Sequence, residues 1–137
     1  MTINKIITHV IAIREFAKDI HYTCHGEGFY GKHLLADRVF NDLEPYIDQL
    51  KECCLLGEEK KPLASITYLQ GAVELLIKPN HSSDLTNFAY LKTLINNCRE
   101  LIEGLRGESS FGCEDLLGSI SNTLQVLNGL ITLQMLI

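Results

Sequence analysis

Residues 21–52 read HYTCHGEGFYGKHLLADRVFNDLEPYIDQLKE, and this stretch decides how the rest of the chain is organised. Gly26, Gly28 and Gly31 crowd its first part, where glycine allows the positive φ of a tight connection. Beyond them apolar residues return at helical steps, Leu35, Val39, Leu43, Tyr46, Leu50 and Cys54, and Gly57 offers a C-terminal stop. The spacing predicts a long amphipathic helix over residues 29–56. Before the turn, Ile3, Ile6, Val10, Ile13, Ala17 and Ile20 place a similar apolar stripe on a helix over 3–23.

Working outward, Glu58 to Pro62 is polar and reads as a loop. The apolar stretch 66–77 is too short for a bundle-length helix and stops before Lys78-Pro79-Asn80. Ser82-Ser83-Asp84 offers N-capping oxygens, and Leu85, Phe88, Leu91, Ile95, Cys98 and Ile102 then define a third long helix over 84–106. Gly107 to Gly112 makes a turn. Cys113 is a poor N-cap, which leaves Glu114 and Asp115 to favour the start of a fourth long helix through its dipole. No convincing strand pattern remains. The expected fold is all-α, a single domain over 1–137, with four long helices and a short one in the connection between the second and third. An up-down-up-down bundle needs only short loops, whereas about 27 residues separate these two helices, the arrangement of a ferritin-like bundle.

Composition narrows the function classes. The 137 residues are 46% apolar and 21% charged, which argues against disorder. Twelve Lys and Arg stand against seventeen Asp and Glu, for a net charge of −5, and no basic run exceeds Lys60-Lys61, so binding to the phosphates of DNA is not expected. Five cysteines are an odd number within regular segments, which does not resemble a disulfide framework. The N-terminus has no signal-like apolar core, and residues 116–137 are interrupted by Ser119, Asn122, Gln125, Asn128 and Gln134. A cytoplasmic protein with no membrane span is expected.

The chemistry concentrates in the opening stretch. His21, His25, His33, Asp37, Asp42, Glu44, Asp48 and Glu52 are all possible metal ligands. At ~100° per residue, Asp37 and Asp48 are only ~20° out of phase on one helix, and Glu52 lies one turn further. His33, Asp37, Asp48 and Glu52 therefore share a stripe. Such a stripe is also the ordinary solvated face of an amphipathic helix. If it binds metal, length dictates how: fifteen residues from His33 to Asp48 span ~22 Å, whereas a ligand must lie within ~2–2.6 Å of its ion. One chain cannot close that site. Two copies of the helix, antiparallel about a two-fold axis near residues 40–42, bring His33 of one to Asp48 and Glu52 of the other and create two equivalent sites. A mixed imidazole and carboxylate set suits Fe²⁺ and leaves positions open for water or an oxidant.

The pattern His21, Tyr22, Gly26, Phe29, His33, Asp37, Asp48, Glu52 and Leu56-Gly57 resembles the signature of the Dps miniferritins, the DNA-binding proteins from starved cells. The resemblance is dense over about 37 residues and covers the rest of the chain as helix order and length. It implies a ferroxidase centre at a two-fold interface, with His21 and His33 from one subunit, Asp48 and Glu52 from its neighbour, and Asp37 assisting. It implies one or two irons per site, cycling between Fe²⁺ and Fe³⁺, with hydrogen peroxide or oxygen as oxidant, and a dodecamer built from two-fold dimers that stores ferric iron and protects against peroxide.

Some features depart from that family. Tyr22 stands where a Trp is usual, Pro45 sits inside the second helix and should kink it, and only Lys5 lies near the N-terminus where DNA-binding members carry a Lys-rich tail. His25 reads as a solvated turn residue, and His9 and His81 have no paired ligand. Cys53-Cys54 reads as a pair of small buried hydrophobes. Glu114 and Asp115 fall where the family builds an acidic pore. The alternative function is a non-catalytic bundle that assembles or binds a partner through its apolar fourth helix.

Overall fold

Every regular element is helical in the computed structural model, which describes residues 1–77 and 83–136. The elements are α1 (Thr2–Thr23), α2 (Phe29–Cys54), a 3-10 turn (Leu56–Glu58), α3 (Ser65–Leu76), α4 (Asp84–Glu103) and α5 (Phe111–Gln134). His81, Ser82, the Lys78-Pro79-Asn80 stop and Ile137 lie outside the described residues.

Packing closes a ring. α1 lies against α2 and α4, and α5 lies against the same two helices, so α1 and α5 are diagonal across a four-helix bundle while α3 packs on α1 from outside. Side-chain pairs set the directions. Arg14 with Glu44 and Lys18 with Asp37 run α1 antiparallel to α2. Tyr46 Oη with Thr123 Oγ1 at 3.1 Å and, further along α2, Cys54 with Cys113 run α2 antiparallel to α5, and Asn96 with Asn128 at 3.2 Å, with Ile102 and Leu117 lining one pocket further along, run α4 antiparallel to α5. α2 and α4 are therefore parallel, which is why a long crossover carrying α3 must return the chain between them.

α1 buries more than the predicted stripe: Ile11 and Ala12 join Ile3, Ile7, Val10 and Phe16 in the core because α3 covers a third side. Close approach of α3 depends on Gly71, where a Cβ would lie 2.8 Å from Thr8 Cγ2. Tyr68, also on α3, is buried; its hydroxyl donates to Asn4 Oδ1 at 2.7 Å and accepts from the Leu63 N–H at 3.1 Å.

Ends differ from the sequence reading in three places. α2 stops at Cys54, not near residue 56, and the left-handed residue that closes the following turn is Glu59 (φ 62°), not Gly57. α4 ends at Glu103, three residues early, in a run of turns that leads to Gly107. α5 begins at Phe111 because Ser110, not Cys113, is its N-cap, with Oγ accepting from the Cys113 N–H at 3.4 Å. Glu114 does sit in that first turn and also accepts from the Gly107 N–H at 2.6 Å. The Ser83 cap of α4 is as expected, its Oγ accepting from the Thr86 N–H at 3.0 Å. Pro45 does not interrupt α2, and its ring lies on the exposed side.

The cysteines also differ. Cys54 and Cys113, 59 positions apart, are joined by a disulfide, with Cα atoms 5.1 Å apart. Packing the end of α2 on the start of α5 brings them together, a juxtaposition that spacing along the chain does not reveal.

α5 is long and apolar enough to cross a membrane by length and composition, with mean hydropathy 1.2 in its most apolar window. Leu117, Ile120, Leu124, Leu127 and Ile131 nonetheless pack into the bundle, and Val126, Leu133 and Leu136 remain exposed.

Candidate metal centre

His21 ends α1 and His33 begins α2, and the glycine turn folds one back on the other. Gly28, the residue before α2, is left-handed (φ 73°), as is Gly26 (φ 77°). Asp84, at the start of α4, pins this turn: its carboxylate accepts from the His25 N–H and the Lys32 ammonium, both at 3.0 Å. Burial alone would raise the Asp84 pKa, but those donors outweigh it and hold the carboxyl below its ordinary value.

The two imidazoles are stacked, with ring centroids 3.6 Å apart and planes 18° from parallel. His21 Nδ1 lies 2.8 Å from the His33 carbonyl oxygen, and His33 Nδ1 lies 2.6 Å from the His21 carbonyl oxygen. A carbonyl can only accept, so both Nδ1 atoms carry their proton, and each Nε2 is the nitrogen left to bind a metal. Helix ends explain why this is possible. His21 is near the end of α1, where carbonyls have no helical N–H to receive, and the His33 carbonyl has a second lone pair to offer. This is the outer-shell arrangement that orients a metal-binding histidine. Phe29 stacks on His33 at 5.3 Å and Tyr22 meets His21 edge-on at 5.0 Å, so the pair is held between aromatic rings.

Asp37, one turn beyond His33, is engaged. Its Oδ1 pairs with Lys18 Nζ at 3.1 Å and its Oδ2 accepts from Asn41 Nδ2 at 3.2 Å. The hydrogen bond from Lys18 holds the Asp37 carboxyl below its ordinary pKa, against the smaller effect of burial, with His21 adding to the lowering. Lys18 also lies over the Phe40 ring, 4.5 Å from its centroid. The sequence reading overlooked Lys18, because its pairing with Asp37 runs across two helices and leaves no periodic trace in the sequence.

The remaining candidates separate by environment. Asp42 pairs with Arg38 at 3.3 Å and Glu44 with Arg14 at 2.8 Å. His9 Nδ1 bonds the Lys5 carbonyl on its own helix at 2.9 Å. His25 is largely exposed, with Nδ1 3.6 Å from Asp84. Asp48 and Glu52 are exposed at the far end of α2, with no hydrogen bond or ion pair among the described residues. Since α2 is helical from His33 to Glu52, the ~22 Å from His33 to Asp48 stands. Among the described residues, no three His, Cys, Asp or Glu side chains of one chain form a metal-binding group.

No family model and no curated protein sequence matches this chain. Solved structures do. The chain is similar to Dps from Thermosynechococcus elongatus, at 18% identity and TM-score 0.74 over 96% of this chain and 85% of that one. It is similar to a point mutant of Dps1 from Mycobacterium smegmatis, at 16% identity and TM-score 0.78 over 98% and 92%. The fold is that of Dps. A third Dps structure, from Vibrio cholerae O1 and described as a member of a superfamily of ferritin-like diiron-carboxylate proteins, matches at 17% identity and TM-score 0.62 over 98% and 86%. A Dps fold at such low identity settles the helix order and the crossover and leaves the chemistry to the side chains.

Proposed function

We propose that this chain is a Dps-like miniferritin that binds Fe²⁺ between two subunits, oxidises it with hydrogen peroxide or oxygen, and stores the ferric product. The observation that carries the reading is the reciprocal bonding of His21 and His33, which fixes both Nδ1 atoms on carbonyls and keeps both Nε2 atoms for metal. A solvated polar face has no use for such a lock.

In this reading His21 and His33 hold iron on one side, and the unpaired carboxylates Asp48 and Glu52 of the partner subunit neutralise its charge on the other. Asp37, kept ionised beside Lys18, adds negative charge close to the imidazoles. Two imidazoles and two carboxylates leave coordination positions for an oxidant. Each Fe²⁺ gives up one electron, so two reduce one peroxide to water and no hydroxyl radical is released.

The exposed residues support a multi-subunit form. Ile66, Leu69, Val73 and Ile77 make an exposed apolar stripe on and just past α3, and Tyr30 and Leu34 do the same on α2. Buried against a second copy these faces leave water, which the monomer alone does not achieve. We take the assembly to be a dodecamer of two-fold dimers, about 185 kDa from the 15.4 kDa chain. It acts in the cytoplasm as one domain, without DNA, since no basic cluster is present to follow phosphates.

Calorimetric titration of the assembled protein with Fe²⁺ under anaerobic conditions tests the site. His21→Ala and His33→Ala should each weaken binding by about tenfold or more, and unchanged binding in both would refute the imidazole half of the centre.

A further inference from the structure

Cys54 is the last residue of α2 and Cys113 the third of α5, and their disulfide is fully buried. Buried sulfurs are poorly reached by oxidants in water. Cys53 differs. It is a free thiol, partly exposed, adjacent to Cys54 in the chain, and a Cβ placed on Gly112 would lie 3.8 Å from its Sγ. This thiol therefore borders both halves of the bridge, through the peptide bond to Cys54 and by lying beside the residue that precedes Cys113.

Cys113 sits in the first turn of α5 and Cys54 at the last residue of α2, so the packing of these two helix ends gathers Cys53, Cys54 and Cys113 in one neighbourhood. The two other free cysteines, Cys24 and Cys98, are buried, and burial pushes the Cys98 thiol up to about 12 and also raises Cys24.

We propose that Cys53 is the peroxide-reactive residue of a three-cysteine relay that forms the buried Cys54–Cys113 disulfide. In the first step the Cys53 thiol attacks hydrogen peroxide, the O–O bond breaks, and Cys53 sulfenic acid and one water result. The Cys113 thiolate then attacks the sulfenic sulfur, hydroxide leaves and takes up the Cys113 proton as a second water, and a Cys53–Cys113 bridge forms. Finally the Cys54 thiolate attacks Cys113 Sγ, the Cys53 thiolate leaves and recovers the proton that Cys54 gave up, and the Cys54–Cys113 bridge is complete. Overall two thiols and one peroxide give one disulfide and two waters. No iron takes part, so the relay stands or falls independently of the metal centre. It also reconciles a buried disulfide with a reducing cytoplasm, since the bridge forms when peroxide arrives.

The test uses the assembled protein, reduced with dithiothreitol, desalted without oxygen and kept with an iron chelator. One equivalent of hydrogen peroxide is added, samples are quenched with an alkylating agent, and bridges are mapped by peptide mass spectrometry. Wild type should close Cys54–Cys113 and leave Cys53 alkylated. Cys53→Ser, at a partly exposed position, should close the bridge about tenfold or more slowly, because delivery from a neighbouring sulfur is lost. Cys54→Ser should stop at a Cys53–Cys113 bridge, and Cys113→Ser should accumulate Cys53 sulfenic acid trapped by dimedone. Closure of Cys53→Ser at the wild-type rate, or Cys54→Ser giving no Cys53–Cys113 bridge while its circular dichroism is native, would overturn the relay.

Discussion

The tautomers of His21 and His33 follow from two carbonyl oxygens, and neither could be read from the sequence. Five ligand-type residues at suggestive intervals were legible; the lock that gives two of them a defined Nε2 depends on how the turn between α1 and α2 folds. Asp37 was legible as a position, but its engagement by Lys18 was not, because side-chain pairing across helices leaves no periodic trace. Asp84 was read only as part of a helix cap, yet it ties the turn carrying His25 and Lys32 to α4. Asp84→Asn should lower stability by about 1.5–3 kcal/mol at pH 7, the range for hydrogen bonds to a charged group. Because the folded carboxyl lies below its unfolded value of about 3.9, this contribution is whole above that pH and is lost as the pH falls through the lowered folded value. Urea midpoints of wild type and variant should therefore differ at pH 7, and the difference should narrow progressively as the pH falls below about 3.9; a gap that does not narrow at all below that pH would contradict the role of the charge.

Among the elements, apolar periodicity located all five α-helices, since each has a face to bury. Their ends were less legible. Ser110 at the start of α5 escaped notice because the sequence offered several candidate caps in one turn, and only the fold says which hydroxyl reaches an N–H. α3 was expected as a short connector, but its fit on α1 through Gly71 was invisible, because a glycine in a helix announces no partner. Gly71→Val should destabilise by about 1–3 kcal/mol through overpacking. The cost should fall when Thr8→Ala removes the opposing methyl, and a double-mutant cycle with no coupling between these positions would show that the contact is not tight.

For the whole molecule, the proposed assembly would cover the exposed stripe on α3 and bring a second copy to the carboxylates at the end of α2, which are unpaired among the described residues. Val73→Asp, which places a charge in the middle of that stripe, should reduce the mass seen by light scattering from the multimer toward 15.4 kDa while leaving helicity intact. A wild-type monomer at micromolar concentration would refute the shared site altogether.

The central claim is that iron ligands come from two chains, and subunit mixing tests it most directly. His33→Ala and Asp48→Ala proteins should each be inactive in rapid Fe²⁺ oxidation. In a mixed dimer one site lacks both altered ligands and the other is intact, so equal refolded mixing should restore about a quarter of the wild-type sites, half the dimers being mixed and each carrying one good site of two. The rate of ferric product formation in the mixture should rise to that fraction. A mixture no faster than the two separate mutants, although mass spectrometry shows that mixed dimers have formed, would contradict the account.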